Sequence, residues 1–312
     1  MTFPPSNRYD ALIVGGSFAG LSAALMLARA RKRVLLVDNA QPRNRFANHA
    51  HNLIGHDGKP PAMLLGEAID QLMAYPNVEL RIAFARDGSR VDDGFRLHLD
   101  EGAPVEGRTL VLATGMRDVL PPLPGLAERW GQSVLHCPYC HGYEFAGQAL
   151  GVLATGPMSP HQGEMIPEWG PTTYFTQGAF EPTTEALQRL QALDVSTERQ
   201  PVVALEGEGG SLSSVRLADG RRVALAALFT APRQAFASDL ARNLGCEIVE
   251  GPLGPRVVVD PVGATCVQGL FAAGDMANPM QSAALAVAGG TLAAASAHRA
   301  LMAMRLPASA AA

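Results

Sequence analysis

Apolar runs interrupted by glycine set the pattern of the chain from its N-terminal end. Residues 11–14 form an unbroken apolar stretch of strand length, Gly15, Gly16 and Gly20 break the next stretch, and residues 18–30 have helical spacing. The uncharged stretch 11–28 comes after Arg8 and ends near small residues, so it also has the outline of a signal peptide. Its glycines, and the flanking Asp10 and Arg29, favour an internal strand, turn and helix. Residues 33–38 add a second strand and complete a unit of the parallel-sheet type. Beyond a loop, residues 62–75 predict a helix, 78–85 and 95–99 predict strands, and 109–113 predict a buried strand ending at Thr114 and Gly115.

The segment 120–125, Leu-Pro-Pro-Leu-Pro-Gly, breaks regular structure and marks a boundary. A second α/β region opens with a strand at 149–154 and closes with one at 225–230, after which Ala231, Pro232 and Arg233 mark the return. Residues 269–272 read as a last strand. The Ala- and Gly-rich run 282–297 reads as a closely packing helix, without the large apolar residues of a membrane span. The segment 306–312 reads as a disordered tail. There is no short repeat, but strand-turn-helix units at Leu12 and Gly151 hint at a distant duplication.

Composition bounds this picture. A chain of 312 residues suggests two domains at roughly 150 residues each. With 47% hydrophobic and 17% charged residues it is not a disordered chain, and a net charge of −4 gives no support to binding nucleic acid or an anionic membrane through bulk charge. Four cysteines are too few for a disulfide scaffold, and with the internal reading of the first apolar run the expected location is cytoplasmic.

The candidate chemistry begins at the first turn. Residues 13–20, Ile-Val-Gly-Gly-Ser-Phe-Ala-Gly, leave a strand and open a helix, where free N–H groups and a positive dipole end suit a pyrophosphate. Gly15 makes the turn, Gly20 permits close packing, and Ser17 replaces the usual middle glycine of a dinucleotide fingerprint. Asp38, at the end of the next strand, supplies the carboxylate expected on a ribose hydroxyl. Far downstream, the strand before Gly274 and Asp275 leads into the Ala-rich helix from Gln281. An Asp there could accept a bond from a ribityl hydroxyl, and the helix N-terminus could stabilise negative charge. The structural alternative is an Asp-capped strand-to-helix turn.

Cys137 and Cys140 form a C-x-x-C pair followed by His141. That spacing serves redox exchange, in which a local field lowers one thiol pKa. It also occurs in c-type haem attachment, which would require export, and in structural zinc sites, where His136 and His141 would have to assist. No metal is expected. Cys246 and Cys266, lacking partners at such spacing, are expected to be buried packing residues.

The glycine turn, Leu112-Ala113-Thr114-Gly115, Cys137-Pro138-Tyr139-Cys140 and Phe271-Ala272-Ala273-Gly274-Asp275 stand in an order that resembles the thioredoxin-reductase-like flavoproteins. The resemblance covers about residues 10–298. It implies two Rossmann-like three-layer α/β domains: an FAD domain split between 1–119 and 232–312, and an inserted nicotinamide-type domain at 120–231 that carries the cysteine pair. It also implies non-covalently bound FAD and a homodimer. On the same ground Cys140 would face the flavin and Cys137 would exchange with the substrate sulfur. His141 is the expected proton acceptor, with Glu144 as its orienting partner or a second base. The cofactor contacts so implied are Gly15, Ser17, Phe18, Ala19, Gly20 and Asp38 at the adenosine and pyrophosphate end, with the Ala85 backbone against the adenine; Arg43, His51, Asn52, Ala113, Thr114 and Gly115 along the cavity; and Gly274, Asp275, Gln281, Ser282 and Ala283 at the flavin end.

The inserted region departs from an ordinary thioredoxin reductase. Its strand at 150–154 leads to Thr155-Gly156-Pro157-Met158-Ser159-Pro160, with a single glycine, and no Arg or Lys occurs from Trp130 through Gln188. The 2′-phosphate of NADPH would have no cationic partner there. With the segment Cys137-Pro138-Tyr139-Cys140-His141-Gly142-Tyr143-Glu144, this looks like the NADP-independent dithiol oxidases that close disulfides in natural products such as gliotoxin, holomycin and romidepsin, a pattern from which 162–167 departs in lacking the regular apolar helix expected there. The resemblance implies a small-molecule dithiol substrate, O2 as acceptor and H2O2 as product. An NADPH-dependent reductase of a protein disulfide and a non-catalytic flavin redox sensor are the alternatives.

Overall fold

The computed structural model describes residues 8–306. The first part of the chain contributes β1 (Arg8–Val14), α1 (Phe18–Arg29), β2 (Val34–Asp38), α2 (Pro61–Met73), β3 (Val78–Ile82), β4 (Ala85–Val91), β5 (Gly94–Leu99), β6 (Val105–Leu112) and β7 (Met116–Val119). The middle contributes β8 (Val134–Leu135), α3 (Pro138–His141), β9 (Leu150–Leu153), α4 (Ser159–Met165), β10 (Thr172–Phe175), α5 (Thr184–Ala192), β11 (Ser196–Glu198), β12 (Val202–Glu206), β13 (Ser214–Leu217), β14 (Arg222–Ala224) and β15 (Ala227–Thr230). The return contributes β16 (Arg233–Phe236), α6 (Leu240–Asn243), β17 (Ile248–Glu250), β18 (Pro255–Val257), β19 (Leu270–Ala272) and α7 (Ala283–Ala303).

A seven-stranded sheet runs β3-β2-β1-β6-β5-β4, with β19 also pairing to β6. The pairs among β3, β2, β1, β6 and β19 are parallel, and β5 pairs antiparallel with both β4 and β6. Strands covered on both faces read as unbroken apolar runs, because every side chain must be buried. Alternation then divides them: Leu12, Leu35 and Leu110 enter one core, while Ile13, Leu36 and Val111 enter the other with α1 and α7. The two helices approach closely. A Cβ on Gly290 would lie 2.0 Å from the Ala19 carbonyl oxygen, so only glycine fits that crossing.

A second, five-stranded sheet, β11-β10-β9-β15-β8, is built from the middle of the chain and is parallel in all its pairings. The two-stranded pair β7-β16 carries the chain out of the larger sheet's region and back. Both sheets contain parallel strand-helix-strand units of the Rossmann-like α/β type expected from the sequence.

One expectation needs correction. The single strand at 78–85 is two strands, β3 and β4. β2 ends at Asp38, so β3 loses its parallel partner after Ile82, and from Ala85 the chain pairs antiparallel with β5 instead. The antiparallel sheet β12-β13-β14 had no sequence assignment, its strands being short and only partly apolar. The irregularity at 162–167 has its counterpart in α4, which stops at Met165 and passes into a 3-10 turn at Ile166–Glu168. The expected disordered tail lies, beyond Leu306, outside the described residues. No helix of the described residues is long and apolar enough to cross a membrane.

Candidate active site

One cavity of about 570 Å³ joins the glycine turn after β1, the first turn of α7 and the cysteine pair. Its wall includes Gly15, Ser17, Phe18, Ala19, Asp38, Arg43, His51, Ala85, Ala113, Thr114, Gly115, Cys137, Cys140, His141, Gly274, Asp275, Gln281, Ser282 and Ala283. Residues separated by most of the chain therefore converge as the motif order implied. Gly20, Asn52 and Glu144 are outside that wall.

At the glycine turn each residue has a distinct job. Gly15 has φ of +103°, and a Cβ there would sit 2.2 Å from the Ala113 carbonyl oxygen. Gly20 packs rather than lines: its Cβ would fall 1.7 Å from the Gly15 oxygen, so glycine alone lets α1 start this close to the turn. Asp38 shapes the turn, its carboxylate accepting from Gly16 N at 2.8 Å and Ala40 N at 3.1 Å. Ser17 stands at the N-cap of α1 without a side-chain cap bond, and no acidic residue lies in the first turn. The positive end of α1 is thus left for an anion from outside the chain.

Arg43 forms the electrostatic centre of the cavity. Its Nε and Nη2 reach the two carboxylate oxygens of Asp118 at 2.8 and 2.5 Å, and Nη1 reaches Asp275 at 2.9 Å. Gln281 also accepts from Arg43, and its amide pairs with Gln234 at 2.8 and 3.0 Å. Burial opposes the guanidinium charge, but the hydrogen bonds and attraction of Asp118 and Asp275 hold its pKa above the usual value. Asp275 therefore enters the cavity as one arm of an ion pair. Sequence reading placed Arg43 near the cofactor but gave no sign of Asp118.

Cys137 and Cys140 are free thiols, both half-buried. Cys137 is the N-cap of the short helix α3, with Pro138 behind it at the first helical position. The Cys140 thiol donates to Cys137, and that bond, helped by the Cys140 and Tyr139 backbone N–H groups and by Arg43, outweighs burial and lowers the Cys137 pKa to about 7. Cys140 is pushed up, because it is the donor in this bond, is buried and faces the Cys137 charge. When the reduced pair loses a proton, the charge therefore resides on Cys137.

The proton-handling groups sit differently from expectation. His141 lines the cavity, and burial pushes its pKa down; Glu144 pulls upward, while His51 and His49 add to the depression. Glu144 meets His51 instead, whose Nε2 lies 3.3 Å from Glu144 Oε1 and whose Nδ1 lies 3.3 Å from Asp57 Oδ2. His51 and His141 meet edge to face, with ring centroids 6.4 Å apart. Asn52 tethers the loop: its side chain donates to the Tyr139 carbonyl at 2.7 Å, so it holds the cysteine helix instead of lining the cavity. Of the remaining cysteines, Cys246 is buried as expected, but Cys266 is exposed, its sulfur 3.3 Å from Glu247 N and 3.5 Å from the Gly245 oxygen. Among the described residues no group of three or more His, Cys, Asp or Glu is placed to hold a metal.

The turn after β9 in the smaller sheet contrasts with the first. The hydroxyl of Ser159, 1% exposed, accepts from Thr155 N at 2.9 Å and Gly156 N at 3.2 Å. Both N–H groups of this turn are therefore satisfied by a side chain of the turn itself. The first cation after this turn, Arg189, is paired with Glu164 at 2.8 Å.

These features fit FAD in the large cavity. Gly115, in its wall with φ of +69°, has nothing within 4 Å of an added Cβ, so a side chain there would take cavity space. The uncapped start of α1 suits the diphosphate, Asp38 the ribose, and the start of α7 an isoalloxazine edge.

The pyridine nucleotide-disulphide oxidoreductase family model matches residues 9–153. The thioredoxin reductase tcpT of Claviceps purpurea is 34% identical over 303 residues, covering 92% of each chain. Among solved structures, an oxidoreductase from Agrobacterium tumefaciens is 44% identical with a TM-score of 0.90, covering 95% of this chain and 99% of that one. The crystal structure of HlmI is 34% identical with a TM-score of 0.90, covering 97% of this chain and 95% of that one.

Proposed function

The chain belongs to the pyridine nucleotide-disulphide oxidoreductase family, and from that premise we propose that it is an FAD-dependent, NADP-independent dithiol oxidase that closes a disulfide in a small-molecule dithiol. The observation that carries the reading is Ser159, whose hydroxyl occupies the turn of the smaller sheet where a nicotinamide dinucleotide would be held. The lack of Arg and Lys from Trp130 through Gln188 supports it, because a 2′-phosphate would meet no cation. Family relatives named as thioredoxin reductases favour a second reading, reduction of a protein disulfide by NADPH.

In the proposed cycle Cys137 and Cys140 begin as a disulfide. A substrate thiolate attacks Cys137 Sγ, a mixed disulfide forms and Cys140 leaves with the electron pair of the broken bond. The second substrate thiol then attacks the substrate sulfur, releasing Cys137 and the closed product. Neutral His141 accepts the proton of the attacking thiol, a role suited to a histidine whose pKa burial depresses. Bound FAD would take the two electrons of the Cys137–Cys140 dithiol and pass them to O2, giving H2O2. The balance is one dithiol and one O2 to one disulfide and one H2O2.

The decisive measurement is oxygen uptake by the purified enzyme with a dithiol in air. Turnover without NADPH is expected. Turnover that requires NADPH, or flavin bleaching by NADPH under anaerobic conditions, would establish the second reading instead.

A further inference from the structure

A second cavity, of about 440 Å³, lies beside the large one where β7 and β16 pair. Three exposed arginines line it from three elements: Arg86 from β4, Arg117 from β7 and Arg242 from α6. None of them makes an ion pair with another described residue. Arg242 stacks over Phe236, 5.4 Å from its ring centroid, and Asp239 is the one carboxylate among the described residues of the wall.

With 25 Lys and Arg against 29 Asp and Glu, carboxylates are plentiful, and arginines such as Arg96, Arg189 and Arg222 each sit on one. Three like charges lining one space favour an anion there, the more so at low salt, and the planar guanidinium fork matches a phosphate oxygen pair well. Cation-π stacking fixes the Arg242 plane without neutralising it.

Position narrows the class of ligand. The two cavities share Phe84, Arg117, Ala237 and Ser238. Phe84 adjoins Ala85, at the end of the large cavity that suits the adenosine, and neither cysteine lines the second cavity. An occupant would therefore not react with the disulfide. It would tie β4, α6 and β7 together and brace the wall that Arg117 and Phe84 give to the cofactor cavity.

We propose that this cavity is a binding site for a phosphate-class oxyanion, separate from the redox centre and independent of whether the enzyme oxidises dithiols or reduces disulfides. Two sources share this chemistry: free phosphate or pyrophosphate, and the phosphates of a second nucleotide. Calorimetric titration of the FAD-loaded enzyme with pyrophosphate, inorganic phosphate and ADP separates them. One saturable site per chain is expected for pyrophosphate, weakening as NaCl is raised and weakened about tenfold or more by Arg86→Gln or Arg242→Gln, since each removes a charge-assisted contact. Bound flavin content should stay unchanged in both variants. ADP binding more tightly than pyrophosphate assigns the site to a nucleotide, and ADP binding no more tightly assigns it to a free phosphate. Absence of saturable binding by all three probes, or pyrophosphate binding undiminished in both variants, overturns the proposal.

Discussion

His51 Nε2 lies 3.3 Å from Glu144 Oε1, which couples the loop after β2 to the segment beyond the cysteine helix. Glu144 is also the group that raises the His141 pKa against burial. Removing its charge with Glu144→Gln should therefore lower that pKa further. If neutral His141 is the proton acceptor, the acid limb of the pH profile for flavin reduction moves to lower pH, with a loss of only a few-fold in rate near neutrality. Stopped-flow traces across pH check this, and an upward or absent shift would remove Glu144 from the electrostatics of the base.

The cysteine pair predicts its own reactivity order. The Cys137 pKa is lowered to about 7 from the ordinary thiol value of 9.0, and Cys140 is pushed up. Alkylation of the reduced enzyme by iodoacetamide should rise with a midpoint near pH 7 and fall on Cys137, as mass spectrometry of the peptide would read. Cys137→Ser should abolish that phase and leave the flavin bound. Modification of Cys140 first would reverse the assignment.

The difference between these two relationships marks how far the sequence could be read. The glycine turn was legible because it depends on backbone geometry within one strand-turn-helix unit, and Gly15 and Gly20 indeed have no room for a Cβ. The seven-stranded sheet was largely legible for a similar reason, since strands buried on both faces are apolar throughout. Contacts between distant segments left no such trace. Nothing local to Glu144 selects His51 over His141 as its partner, nor does the sequence join Asp118 to Arg43. Cys266 was misassigned because residue type was the sole guide, whereas its sulfur meets the backbone of residues 245 and 247 at the surface. At Ser159 the missing glycines were visible, but not the hydroxyl that fills the turn.

Ser159 also predicts a stability effect separable from chemistry. Ser159→Ala removes the acceptor of the Thr155 and Gly156 N–H groups in a buried turn, and leaving such donors unpaired costs roughly 1–3 kcal/mol. Urea unfolding should show a lower midpoint, with oxygen-dependent turnover retained in the folded fraction. A gain of tight NADPH binding in this variant is not expected, because the cationic partner for the 2′-phosphate is still missing. Unchanged stability would mean that the two N–H groups find another acceptor.

Arg43 should be the most costly residue of the cavity to neutralise. Its guanidinium answers two carboxylates, and the side chain of Asp118 is only 6% exposed. Arg43→Gln leaves both aspartates without their cation, and breaking a buried pair from one side costs roughly 3–5 kcal/mol, reduced here because Asp275 is 23% exposed and can be partly solvated. The same substitution removes a charge that favours the Cys137 thiolate, so the alkylation midpoint should move upward from about 7. Thermal denaturation and the alkylation profile read the two effects independently. The double variant Arg43→Gln with Asp118→Asn should recover part of the stability, because it removes the most buried orphan charge, while leaving the thiol shift in place. Recovery of both together would show that the thiol responds to the fold around it and not to the charge of Arg43.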